Sequence, residues 1–262
     1  MSGPGLCISS GISARRGGNQ SVPESISAVI GWLRVAQATV TGSGVSSLPN
    51  VLGGSPATQS TDAARPGLGS SGNGLPILQF TGTQFLVHPL QSNVNNNSAF
   101  FGMGLWLRSA PTTTTRSIYA VRSAAGGASA HRMMWQINSD ETVLADFNLD
   151  NSNARRIRTN AAQAAGGWEF WTLEHQGSLS GDARCLQRKD GAQPASTYSA
   201  VGAAAEMPAT LVTPTGNAFI GSTTTTPTAP MIGDFGPNIF FFNRQLTAGE
   251  LTALMAFEQP VG

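Results

Sequence analysis

The chain has 262 residues, with 15 Lys and Arg against 14 Asp and Glu, a formal net charge of +1 and only 11% charged residues. So small a net charge supplies no field to draw the protein onto nucleic acid or an anionic membrane, and no apolar run reaches the length of a helical membrane span. With 31 glycines and 15 prolines, and much Ser, Thr and Asn, the composition favours short strands joined by turns over a helix-rich fold.

Residues 1 to about 22 read as an extended arm rich in Gly, Ser and Arg. Its apolar content is small, so it is not expected to form a core of its own, and it should order only by docking on a partner. Leu6, Ile8, Ile12, Arg15 and Arg16 are the candidate anchoring residues. The N-terminus has neither a basic n-region nor an apolar h-region, so a secretory signal is not expected. Cys7 and Cys185 are far apart. They neither require nor exclude a disulfide, and they show no metal-binding spacing.

From residue 23 to the end the chain is expected to form one domain. The stretch from Ser21 to Ile30 can begin a short helix, and Gly31 to Val35 reads as a first strand. Val40 to Val45 is a turn, and residues 50 to 74 are loop-rich. Further strands are expected over 75–80, 84–87, 100–107, 117–121, 132–137, 142–147, 168–174, 183–187 and 218–220. This recurrence, with turn signals between the strands, argues for an antiparallel sandwich. Ile239, Phe240, Phe241 and Phe242 form a final apolar run, expected to be covered on both faces. Thr247 and Glu250 then form a capping box for a short helix whose apolar stripe is Leu251, Leu254 and Met255.

The residues that could carry chemistry are few. Retaining glycoside hydrolysis needs two carboxylates about 5 Å apart. Asp140 and Glu141 are adjacent, and Glu169 and Glu174 are separated by an odd interval, so neither pair shares a strand face. No enzymatic activity is expected. His88, His131 and His175 lack metal-ligand spacing and read as isolated polar residues of the surface or loops. His175 and Cys185 are on strands expected to pair, but nothing marks an activated thiolate. Asp150 and Asn151, with Ser152 and Asn153, offer oxygen ligands for Ca²⁺ but read better as a hairpin turn. Arg156 and Arg158 could bind an acidic partner, glycan carboxylates or phosphate; the alternative is that, as strand residues, they share one solvated face. Trp106 and Trp168 lie in apolar strands and are assigned to the core. Trp135, beside Met133, Met134 and Gln136, is the best candidate for stacking on a sugar. No cofactor or metal is expected.

The closing strand, with Asn243, Arg244, Leu246, Thr247, Glu250 and Leu251 after it, resembles the end of laminin-G-like modules within the concanavalin A-like β-sandwiches. Gly31 to Arg34 followed by Val45 to Asn50 resembles their opening strand and loop. Ala57 to Gln59, Ala64 to Pro66, Asn73 to Pro76 with Phe80 to Phe85, Gly167 to Leu173, and Asp190 with Gly191 resemble later blocks. The resemblance covers roughly 29 to 257. It implies an all-β, two-sheet antiparallel jelly-roll sandwich with a short C-terminal helix. Such modules often carry acidic residues where this chain has Asn50 and Thr81, so an inherited calcium site is not expected. The subgroup is common in bacteriophage virion proteins and bacterial surface proteins. The resemblance therefore implies a non-enzymatic virion surface protein: a capsid decoration, head fibre or tail adhesin, localised to the particle and made without a signal peptide. Its arm would bind other virion proteins, and it would form a homo-oligomer or multi-copy assembly. The alternative is a carbohydrate-binding module of a bacterial surface protein, and glycans are the expected ligand in either case. Trp135, Asp150, Asn151, Arg156 and Arg158 are the candidate ligand-binding residues.

Overall fold

A computed structural model describes residues 23–122, 131–148, 153–162, 166–214, 216–226 and 229–262, with His131 described by its backbone alone. The arm residues Leu6, Ile8, Ile12, Arg15 and Arg16, together with Cys7, Asp150 and Asn151, lie outside the described residues.

In chain order the first strands are β1 (Val29–Arg34), β2 (Thr39–Thr41), β3 (Gly44–Leu48), β4 (Ala57–Thr58), β5 (Gly67–Ser70), β6 (Pro76–Thr81) and β7 (Leu86–His88). The long central strands follow: β8 (Phe100–Ser109), β9 (Arg116–Arg122), β10 (His131–Ile137), β11 (Val143–Asn148), β12 (Ala154–Thr159) and β13 (Glu169–Gln176). The last are β14 (Cys185–Lys189), β15 (Ser196–Val201), β16 (Ala218–Ile220) and β17 (Ile232–Phe242), before helix α1 (Ala248–Ala256). They form two antiparallel sheets. One has seven strands in the order β14-β13-β8-β17-β6-β5, with β1 also paired to β17. The other has ten, in the order β15-β12-β11-β10-β9-β16-β7-β4-β3-β2. This is the expected all-β sandwich.

The final strand explains how the two layers are organised. A register shift between Phe235 and Ile239 divides β17 into a part paired with β6 and a part paired with β1, while β8 runs along its other side. Pro237 sits within that irregularity, where its missing N–H interrupts no regular ladder. Ile239 and Phe241 point into the core between the sheets, and Phe240 and Phe242 point to the opposite face. All four are fully buried. Phe242 lies directly on β8: a Cβ on Gly102 or Gly104 would sit 2.7 or 2.9 Å from its side chain. Glycine at both positions is what lets the aromatic ring seat there.

The outer face of the seven-stranded sheet needs a cover because it is apolar, and α1 supplies it. Thr247 accepts a hydrogen bond from the Glu250 amide, and the Glu250 carboxylate accepts one from the Thr247 amide, completing the box. Leu251, Leu254 and Phe257 pack on Trp32, Trp106, Phe170, Phe240 and Phe242. Each fully buried side chain of this size contributes about 1.5–3 kcal/mol.

One expectation is corrected, and two features of the sheets were not read from the sequence. The helix proposed from Ser21 is, among the described residues, a single 3-10 turn at Pro23–Ser25, because Ile26, Ala28 and Val29 are drawn into the outer apolar cluster. The chain changes sheets at Gly82: β6 belongs to one sheet and β7 to the other. Strand β15 went unread because Ser, Thr and Ala fill an exposed edge that carries no apolar alternation.

Candidate functional site

The stacking role expected of Trp135 is corrected. Met133, Trp135 and Ile137 face the inter-sheet core, and Trp135 is 0% exposed, with its indole N–H donating to Gln187 Oε1 at 3.2 Å. A ring with no solvent-facing surface cannot stack on a sugar. The half-polar alternation was read the wrong way round: Met134 and Gln136 are the outward residues.

Arg156 and Arg158 do share the outer face of the ten-stranded sheet, but each has a carboxylate partner. Arg156 donates Nε and Nη2 to the two oxygens of Asp146 at 2.7 and 2.8 Å. Arg158 pairs with Asp140, and its Nε donates to Thr142 Oγ1 at 2.9 Å. Hydrogen bonds from Thr142, together with the Arg158 charge, hold the Asp140 carboxyl below its ordinary range. With Gln136, Asn138 and Leu144 these residues border a shallow polar cleft of about 270 Å³. Its charges are already matched, so it offers no net field to an anion.

Three of the described glutamates and both described histidine side chains are likewise absorbed into the fold. Glu141 pairs with the buried Arg116, and Glu169 with Lys189 at 2.7 Å. Glu174 is buried beside Arg188 at 3.6 Å, accepting from the Leu246 amide at 2.8 Å, and burial pushes its carboxyl up. His88 and His175 are core residues rather than surface ones, and burial brings each imidazole down to about 4. His88 meets the Tyr119 hydroxyl at 3.2 Å, and His175 Nε2 lies 2.7 Å from the Pro208 carbonyl. His175 and Cys185 are register partners, as expected, but burial pushes the thiol far up. Among the described residues no three His, Cys, Asp or Glu side chains gather as a metal site.

The concavity with the character of a binding site lies where α1 meets the outer face of the seven-stranded sheet. It is an open cleft of about 480 Å³ lined by Trp106, Trp168, Asp190, Thr252, Met255 and Gln259, with Ala256 at its edge. Trp106 projects from β8 and meets Phe170 of β13 edge to face, with ring centroids 5.4 Å apart. Trp168 immediately precedes β13 and is half-buried. Asp190 sits in the turn after β14. Its amide donates to the Phe170 carbonyl and its Oδ1 accepts from the Phe170 amide, both at 2.8 Å. These two bonds fix the carboxylate at the rim.

The indole nitrogens separate the chain's five tryptophans into two sets. Trp32 donates to Asn238 Oδ1 at 2.8 Å, Trp135 to Gln187, and Trp171 to Glu169 Oε2 at 3.0 Å. Trp106 and Trp168 have buried Nε1 atoms with no acceptor. Buried indole N–H groups normally find a partner. The two that do not are the two that line the cleft. The core placement read from the sequence holds for Trp106, which is buried in the outer apolar cluster, whereas Trp168 is half-buried against it. The available signals for the half-buried Trp168 and its cleft were the adjacent Gly166 and Gly167 and the position of Met255 on the helix stripe.

No protein-family model matches the sequence, and no curated protein matches it significantly. Among solved structures the chain is similar to Trypanosoma rangeli sialidase in complex with sialic acid, with a TM-score of 0.56 and 13% identity over 87% of this chain and 32% of that one. The same sialidase with 2,3-difluorosialic acid, a covalent intermediate, gives a TM-score of 0.57 and 12% identity over 88% of this chain and 33% of that one. The CBM40 of Ruminococcus gnavus IT-sialidase bound to alpha2,3 sialyllactose gives 0.47 and 14% identity over 60% of this chain and 82% of that one. The chain spans about a third of the length of the sialidase chains it matches. The likeness is one of fold, and the fold is a concanavalin A-like sandwich.

Proposed function

We infer that this chain is a non-catalytic carbohydrate-binding β-sandwich and that the tryptophan cleft holds the sugar. The observation that carries this reading is one open cleft that joins apolar and aromatic lining, Trp106, Trp168 and Met255, to the polar side chains of Asp190, Thr252 and Gln259. A sugar ring has an apolar C–H face and a rim of hydroxyls, each able to donate and accept. The faces of Trp168 and Met255 suit the first, and Asp190, Thr252 and Gln259 suit the second. The volume also falls within the range of about 300–1,000 Å³ usual for small-molecule sites.

Binding without cleavage is supported by the single carboxylate, Asp190, on the cleft lining, where hydrolysis uses a pair. The test is a glycan array probed with the intact chain and with Trp168→Ala, followed by product analysis of the best ligand. Retention of an uncleaved glycan by the native chain alone is expected. Turnover of the ligand would overturn the non-catalytic reading.

The finer placement is the surface of a bacteriophage particle, as a decoration, fibre or adhesin subunit present in many copies and anchored by residues 1–22. It is supported by the sequence resemblance and the low charge. Mass spectrometry of purified particles should find the chain at a fixed copy number. Recovery only from a bacterial envelope fraction would favour the bacterial surface alternative.

A further inference from the structure

We propose that the tryptophan cleft prefers a saccharide bearing a free, protonated amino group over its neutral or carboxylated counterpart. The proposal rests on the reading of the cleft as a sugar site and adds the charge class of the ligand.

Among the described residues, Asp190 is the only charged one on the cleft lining. Its Oδ1 accepts from the Phe170 amide, and no cationic side chain pairs with it. Each neighbouring cation among the described residues is already engaged. Lys189, its sequence neighbour, pairs with Glu169 at 2.7 Å. Arg108 lies over the Trp168 ring but donates Nε and Nη2 to Asp234 Oδ2 at 2.9 and 2.7 Å. Glu258, just before Gln259, is matched by Arg34. The unmatched charge is therefore negative. It is held at the rim of a cleft whose indole faces are also electron-rich, and such faces attract cations. A carboxylated sugar would meet like charge and find no free guanidinium. An ammonium would find a carboxylate oxygen and an aromatic wall together.

Asp190 is exposed, so the preference should have the size of an exposed ion pair, about twofold to fivefold in affinity, and should shrink as salt is raised. Three probes test it in mildly acidic buffer at low ionic strength: a glucosamine trimer, the N-acetylglucosamine trimer, and an oligomer of matched length ending in glucuronate. Titration of the native chain should rank them amine, then neutral, then acid. Asp190→Asn keeps an acceptor for the Phe170 amide, and Asn tolerates the φ of 48° at this position. In that variant the ratio of amine to neutral affinity should fall to about one. A native ratio of one, or a ratio unchanged by Asp190→Asn, would overturn the proposal. If Trp168→Ala still abolished binding of the neutral trimer, the sugar site itself would stand. Equal binding of all three probes by native chain and Trp168→Ala would overturn both.

Discussion

The guanidinium of Arg108 lies 5.0 Å from the centre of the Trp168 ring and is at the same time held by Asp234. The carboxylate fixes the guanidinium plane, and the plane covers one face of the indole, so a residue outside the cleft sets the position of its largest wall. Such a contact contributes about 0.5–1 kcal/mol at a partly exposed site. Arg108→Ala should therefore weaken saccharide binding about twofold to fivefold while moving the melting temperature little. Calorimetric titration checks this. Unchanged affinity would mean that the ring needs no such support.

Phe241 and Phe242 test the core on its two sides. Both are fully buried, one between the sheets and one beneath the helix. Each Phe→Ala should cost about 3–5 kcal/mol, a large part of a total stability of about 5–15 kcal/mol. Chemical denaturation would measure it, and a loss below about 1 kcal/mol at either site would contradict the packing described.

The buried histidines make a pH prediction. Each has a folded value of about 4 against about 6.5 in the unfolded chain. Between these values the unfolded state binds more protons, so stability rises with pH across the window and falls on acidification from about 6.5 to 4. The loss is on the order of 3 kcal/mol per histidine. Glu174, whose carboxyl is pushed up, acts in the opposite direction. The melting temperature should drop between pH 7 and 5, and His88→Gln should flatten the slope. A flat profile in the native chain would refute the assignment.

The arginines that sequence reasoning proposed as ligands make a contrasting case. Arg158 and Asp140 are both substantially exposed, and exposed pairs contribute roughly 0–1 kcal/mol. Arg158→Ala should change stability by less than about 1 kcal/mol and saccharide affinity by less than about twofold. A tenfold loss of affinity would move the site to the outer face of the ten-stranded sheet.

These comparisons show what could be read without coordinates. The β17–α1 segment was legible because its signals are local: a doubly apolar strand, then Thr247 and Glu250 at capping-box spacing. The cleft was not, because it joins Trp106, Trp168, Asp190 and Gln259 from four separate places in the chain. An apolar strand also gives no sign of which alternate residues end beneath a helix and which at its edge. Trp135 shows the same ambiguity in reverse, since parity along β10 fixes two faces but does not say which one is inside.

The most direct test of the account is calorimetric titration of one array-selected saccharide into the native chain, Trp168→Ala and Arg158→Ala under the same conditions. The account predicts that Trp168→Ala loses at least about tenfold in affinity, about 1.4 kcal/mol, while remaining folded, and that Arg158→Ala binds like the native chain. Full binding by Trp168→Ala, with loss in Arg158→Ala, would contradict it.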